Sequence, residues 1–261
     1  MSAEAVAPAS APPVLEVHDL VVNYGGARAV DGVSLRAARG EVVGIVGPNG
    51  AGKSSLLAAI GGQMRPSAGK ILLDGRDVTR DPAHNRARKG ISRTFQDTSE
   101  FARMTVFENL LVAGLGHIGG SLWQCTFHPA RQARRSEQMG ERAWQLLERF
   151  ELAPLSDAYG SELSGGQRRL VEVMRCLMRD PSVLLLDEPT VGVAQHLSKQ
   201  LMGEYRKIRD DGVCVVIIEH VLEVVEQVCD RVVVMDRGSV IAEGTFGEVM
   251  RANAVQTAYF G

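Results

Sequence analysis

The stretch "GEVVGIVGPNGAGKSSLLAAI" (40–60) limits what this chain can fold into more than any other. Val42 to Val46 is an almost unbroken apolar run, the composition of a strand buried on both faces in a parallel sheet. A glycine-rich loop follows at once, and Lys53 to about Ile60 reads as a helix. Glycines at such a junction let successive backbone N–H groups wrap an anion, and the helix N-terminus adds its partial positive charge. Gly47-Pro48-Asn49-Gly50-Ala51-Gly52-Lys53-Ser54 fits G-x-x-x-x-G-K-[ST] in the strand–loop–helix setting that this pattern requires. The setting weighs against a chance match. The chemistry is that of a nucleoside triphosphate site, in which Lys53 reaches the β- and γ-phosphates and Ser54 ligates Mg2+.

Two later stretches belong to the same chemistry. "VLLLDEP" (183–189) ends a buried strand with adjacent carboxylates. Asp187 is suited to hold Mg2+, usually through water, and Glu188 to polarise a water for in-line attack on the γ-phosphate. Alone, such a pair is a solvated strand end; beside a phosphate loop it is chemistry. "ELSGGQRRL" (162–170) places a serine and two glycines ahead of Leu170, Val173, Met174 and Leu177, which recur at helical spacing. It reads as a second bare helix N-terminus, and one triphosphate has no need of two from the same side.

Around these motifs the pattern alternates. Residues 14–24, 33–39, 41–47 and 70–78 read as strands, with turns at Gly40 and at Asp74–Gly75. "DPAHNRARKG" (81–90) reads as a helix opened by Pro82 and closed by Gly90. Residues 131–150 carry Met139, Ala143, Leu147 and Phe150 on one helical stripe. The chain then returns to α/β: strand 183–187, helix 195–210, strand 213–219, a short helix, a hairpin over 231–244 turned at Arg237–Gly238, and a C-terminal helical piece. The expected fold is α/β, with a parallel-sheet core and an inserted helical lobe over about 85–180. Residues 1–13 are Pro-rich and small, without the basic start and apolar run of a signal peptide, and are expected to be a disordered tail.

Net charge of −2 over 261 residues offers no basic footprint for nucleic acid. Cys125, Cys176, Cys214 and Cys229 form no CxxC pair and no metal spacing, and read as reduced thiols. Residues 109–130 lack Asp, Glu, Lys and Arg and are long enough to cross a bilayer, but their glycines, histidines and Pro129 break a spanning helix. A helix end followed by a glycine-rich loop is the expectation there. Phe101, Met104, Leu122, Trp123 and Phe127 make 101–127, with the loop around Gln96, the expected docking surface for a partner, the alternative being packing inside the helical lobe.

Taken together, these motifs make the chain resemble the ATP-binding subunit of an ABC transporter over about residues 14–261. "LSGGQ" (163–167) matches that family's signature, which is highly specific in combination with the phosphate loop. The resemblance implies a P-loop ABC ATPase domain with an antiparallel β subdomain beside the parallel core. ATP would be held by Tyr24, stacked on adenine, and by Gly47, Pro48, Asn49, Gly50, Ala51, Gly52, Lys53, Ser54 and Ser55. Ser164, Gly165, Gly166 and Gln167 would face ATP from a partner chain. Mg2+ would be held by Ser54, Gln96 and Asp187. Glu188, His220 and Gln96 would carry catalysis, Gln96 as the Q-loop residue that senses the membrane subunit and His220 as the switch histidine.

The implied partners are a second ABC ATPase subunit, two transmembrane permeases and, indirectly, a solute-binding protein, at the cytoplasmic face of the membrane. No nucleic acid is among them. "RTFQ", "MTVFENLLVAG", "HPARQARRSE" and the ending "EGTFGEVMRANAVQTAYFG" are similar to branched-chain amino-acid importer ATPases. The lipopolysaccharide-export ATPase shares much of that ending. Two positions depart from the family: Ala194-Gln195 where an acidic or small polar residue and Pro are usual, and Val221 where Asp usually follows the histidine. Other readings are a soluble ABC ATPase of DNA or ribosomes and a nucleotide-gated module that does not hydrolyse. Lys53 and Ser164 stand too close in sequence for a long coiled-coil insertion, and Glu188 and His220 speak for hydrolysis.

Overall fold

The computed structural model describes residues 12–94, 102–115 and 129–260. The chain forms two compact units. One contains the described residues up to Arg93 with Ser182–Pro189 and the chain from Met202; the other contains those of Thr94–Pro181 and Thr190–Leu201.

The first unit carries two sheets. In the antiparallel one, β1 (Pro13–Tyr24), β2 (Ala27–Ala38), β4 (Ala68–Leu73) and β5 (Arg76–Asp77) stand in the order β2-β1-β4-β5. In the other, β3 (Val42–Val46), β6 (Ile91–Arg93), β7 (Val183–Asp187), β8 (Cys214–Ile218), β9 (Arg231–Asp236) and β10 (Ser239–Gly244) stand in the order β10-β9-β3-β8-β7-β6. Only the β10–β9 pair is antiparallel. Every residue of β3, β7 and β8 is buried, which is why these strands read as apolar runs without alternation. Leu15, Val17 and Ile71 of the antiparallel sheet share one core with Ile45, Leu185, Val216 and Leu57.

Helix α1 (Lys53–Gly61) leaves the phosphate loop and ends at Gly62, in the left-handed conformation at φ 82°. Arg86 of α2 (Ala83–Lys89) is 1% exposed and donates to the carbonyls of Ala59, Ile60, Thr79 and Asp81. It thus supplies a donor to the Ile60 carbonyl at the end of α1 and a second one to that of Ala59, which also accepts the Gly62 N–H. Pro82 and Gly90 cap α2 as the sequence predicts. Strand β6 is absent from the sequence reading: it is three residues long, and its place comes from pairing Ile91, Ser92 and Arg93 with Val183, Leu184 and Leu185.

The second unit is helical: α3 (Val106–Leu115), α4 (Pro129–Arg149), α5 (Gly165–Leu177) and the start of α6 (Gln195–Asp210). Ala143 and Leu147 of α4 are fully buried, as is Phe150 just beyond it, as their stripe requires. Within 109–130, Asn109–Leu115 closes α3, and among the described residues no helix is long and apolar enough to cross a membrane. Phe101, Leu122, Trp123, Cys125 and Phe127 lie outside the described residues, as does most of the expected N-terminal tail. Beyond β8 the first unit adds α7 (Leu222–Val228), α8 (Phe246–Arg251) and α9 (Asn253–Phe260).

Candidate nucleotide site

The parallel sheet delivers its chemistry to one edge. Ile218 is in register with both Ile45 and Asp187, so β3, β7 and β8 end at the same level. The loop from Gly47, the pair Asp187-Glu188 and the segment Glu219-His220 therefore leave the sheet side by side. Ligands bind at the carboxyl ends of strands in such sheets.

Backbone proximity explains the glycines of the loop. A Cβ on Gly47 would lie 2.0 Å from the carbonyl oxygen of Met235, and one on Gly52 2.1 Å from that of Ala29. Gly52 also takes φ 98° as the N-cap of α1. Lys53 is buried and folds back on the loop, its Nζ donating to the carbonyls of Gly47 (2.8 Å) and Pro48 (2.9 Å). Burial lowers its pKa, while the charges of Glu188 and Asp187 oppose that shift. The ammonium is thus held against backbone at the place where phosphate oxygens would offer it anionic partners.

Asp187 is 4% exposed. Its Oδ1 stands 3.4 Å from the Ser54 hydroxyl, and its Oδ2 accepts from Arg93 Nη2 at 2.9 Å. A serine hydroxyl and one carboxylate are the small, hard-oxygen donor set that suits Mg2+ completed by waters and phosphates. Among the described residues no cluster of three His, Cys, Asp or Glu could hold a metal by itself. Glu188 takes φ 48°, in the left-handed region. Its Oε1 meets His220 Nε2 at 2.7 Å. Two of the three side chains named for catalysis, Glu188 and His220, thus touch.

Tyr24, at the end of β1, is 75% exposed and available for stacking. Gln96 lies outside the described residues. The signature loop sits in the second unit and forms a capping box: Ser164 Oγ accepts from the Gln167 N–H at 3.3 Å, and Gln167 Oε1 accepts from the Ser164 N–H at 2.9 Å. Gln167 thereby orders the loop rather than extending from it. A Cβ on Gly165 would meet only the Gly192 carbonyl oxygen, at 3.9 Å, whereas one on Gly166 would strike Leu197 at 2.4 Å. Val221, the departure after His220, is an exposed N-cap of α7 without a side-chain bond.

Sequence reasoning missed Arg93 and Tyr259. The first was visible only as a basic residue in "SRTFQ". The phenol of Tyr259, on α9, accepts the Gly47 backbone N–H and packs beside the cluster that contains Val46. No local pattern signals a contact between residues so far apart in the chain.

A buried-strand phosphate loop, a metal-suited Ser–Asp pair and a Glu–His pair at one sheet edge define a P-loop nucleotide hydrolase. The chain matches the ABC transporter family model over residues 30–191. It is 35% identical over 250 residues to the probable branched-chain amino acid transport ATP-binding protein LivG of Archaeoglobus fulgidus, covering 95% of each chain. It is 36% identical to the high-affinity branched-chain amino acid transport ATP-binding protein BraF of Pseudomonas aeruginosa, covering 95% of this chain and 98% of that protein. The lipopolysaccharide export system ATP-binding protein LptB of Escherichia coli K12 is 35% identical, with 95% and 97% covered. A solved nucleotide-free cassette from an ABC transporter superposes with a TM-score of 0.85 at 33% identity, covering 96% of this chain and all of that one. A dimeric post-hydrolysis cassette bound to ADP and Pi superposes with a TM-score of 0.73 at 25% identity, covering 89% and 98%. The chain belongs to the ABC transporter ATP-binding family and is an ATP hydrolase.

Proposed function

We propose that this chain powers an importer of branched-chain amino acids or similar small polar solutes, bound at the cytoplasmic face of the membrane to two permeases fed by a solute-binding protein. The observation that carries this reading is its likeness to LivG and BraF over 95% of the chain. The segments "RTFQ" and "HPARQARRSE" add to it. LptB is equally similar in identity, so export of lipopolysaccharide is the second reading. Uptake of labelled leucine, isoleucine and valine, measured in a strain lacking this gene, separates them. Loss of uptake restored by the wild-type gene, but not by a Glu188→Gln copy, is expected. Normal uptake with defective lipopolysaccharide export would overturn the import reading.

In the proposed cycle two cassettes pair head to tail. The N–H groups at Ser164, Gly165 and Gly166 of one chain face the γ-phosphate on the other's Gly47–Ser55 loop, with Tyr24 stacked on adenine. Mg2+ supplies charge neutralisation on the phosphates, and Ser54, Asp187 and Gln96 would hold it. Glu188 accepts a proton from the attacking water, oriented by its bond with His220. Binding energy from ATP closes the pair and hydrolysis releases it, which moves the permeases. The region around Gln96 and 101–127 forms their docking surface. The cassette is one ABC domain over 14–261, with its helical lobe at about 85–180 and a tail at 1–13.

A further inference from the structure

The carboxylate of Asp187 has its two oxygens committed in different directions. Oδ1 faces the Ser54 hydroxyl at 3.4 Å, and Oδ2 is held by Arg93 Nη2 at 2.9 Å. The other terminal nitrogen of Arg93, Nη1, donates to Gln63 Oε1 at 3.1 Å. Gln63 lies just beyond the C-terminus of α1, the helix that starts at Lys53. Arg93 is the last residue of β6, in register with Leu185, which shares a strand face with Asp187 two positions on. The side chains of the ion pair are 15% and 2% exposed, so water does little to hold either. A buried carboxylate needs a fixed cation or donor. The guanidinium fork supplies one and, being planar and anchored at both nitrogens, also fixes the plane of the carboxylate.

We infer that Arg93 is the positioning residue for the metal carboxylate: it takes Oδ2 so that Oδ1 is presented beside Ser54, where Mg2+ binds with nucleotide. This rests on the reading that Asp187 holds Mg2+. Donors behind a metal ligand fix its orientation, and losing one costs about 10–100-fold in metal affinity. Arg93 itself touches neither metal nor phosphate on this account.

The test is Mn2+ binding to the full chain in the presence of ADP, followed by the EPR signal of free Mn2+. Metal-free nucleotide affinity, from a fluorescent ADP analogue in EDTA, serves as the comparison. Arg93→Gln should weaken Mn2+ binding about 10–100-fold while metal-free nucleotide affinity changes less than about twofold. Arg93→Lys, which keeps the charge without the fork, should recover part of that loss. Gln63→Ala, an exposed change that leaves the strands intact, should weaken Mn2+ binding in the same direction by a smaller factor. Unchanged Mn2+ affinity in Arg93→Gln would overturn the inference, whatever Gln63→Ala does. Tighter binding would overturn it too, by making Arg93 a competitor of the metal. If Arg93→Gln does not fold, Arg93→Lys and Gln63→Ala decide by the same criteria. Asp187→Asn separates the two readings: full Mn2+ affinity in that variant means that Asp187 is not the metal carboxylate at all, whereas its loss beside an unaffected Arg93→Gln sinks only the role of Arg93.

Discussion

Glu188 and Lys53 show how one residue's chemistry depends on its backbone. Glu188 takes a left-handed φ and its carboxylate meets His220, while that of Asp187 meets Ser54 and Arg93, the side where we propose that Mg2+ binds. Glu188→Gln should therefore keep ATP binding while turnover falls about 10²–10⁴-fold, the usual effect of a missing general base. Single-turnover hydrolysis with a parallel nucleotide-binding assay checks both halves. Lys53→Ala removes a buried charge aimed at the loop and should weaken ATP binding about 10–100-fold, the worth of one or two charge-assisted hydrogen bonds. Equilibrium binding of ATP to the two proteins measures it. The proposed roles of both side chains await these measurements, but their positions at the nucleotide edge were legible from the motifs. The partner of Asp187 was not, because Arg93 arrives on a strand far from it in sequence.

At the scale of elements, one buried arginine ties the end of α1 to the segment before α2. Arg86 binds four carbonyls from the last turn of α1 and the loop before α2. Arg86→Met keeps the volume and removes these donors, while Ala59 keeps the Gly62 N–H, so it should destabilise the first unit by about 3 kcal/mol, since each buried carbonyl left without a partner costs about 1–3 kcal/mol. Urea unfolding gives that number directly. Gly166→Ala should disturb the second unit, because its Cβ would press into Leu197 and Val193. The long helices and the apolar strands were readable from periodicity and composition. The three-residue β6 was not: such a segment has no period of its own and is a strand only because β7 lies alongside.

The whole molecule acts, on our proposal, through a second cassette. A Cβ on Gly165 meets only the Gly192 carbonyl oxygen, at an ordinary van der Waals distance, so Gly165→Asp tests charge more than folding. A carboxylate there would face the partner's γ-phosphate, a like-charge contact that blocks closure. The monomer should bind ATP as before while ATP-dependent dimerisation, followed by analytical ultracentrifugation of hydrolysis-deficient protein, disappears. Gly165→Ala should dimerise nearly normally. Loss of ATP binding by the isolated Gly165→Asp chain would mean that the signature loop serves its own site.

What the sequence determined by itself is the local chemistry and the fold class. A glycine loop between a two-faced strand and a helix, an acidic pair at another strand's end and a serine–glycine helix start before α5 each lie within about ten residues, so local sterics and hydrogen bonding suffice to specify them. Tertiary structure decided which of these meet. Register across β3, β8 and β7 brings Gly47, Asp187 and His220 to one edge, and the pairing of β6 carries Arg93 to Asp187. Those contacts join residues far apart in the chain, and their free energy comes from burying strands on both faces, a property of the assembled sheet and of no single segment.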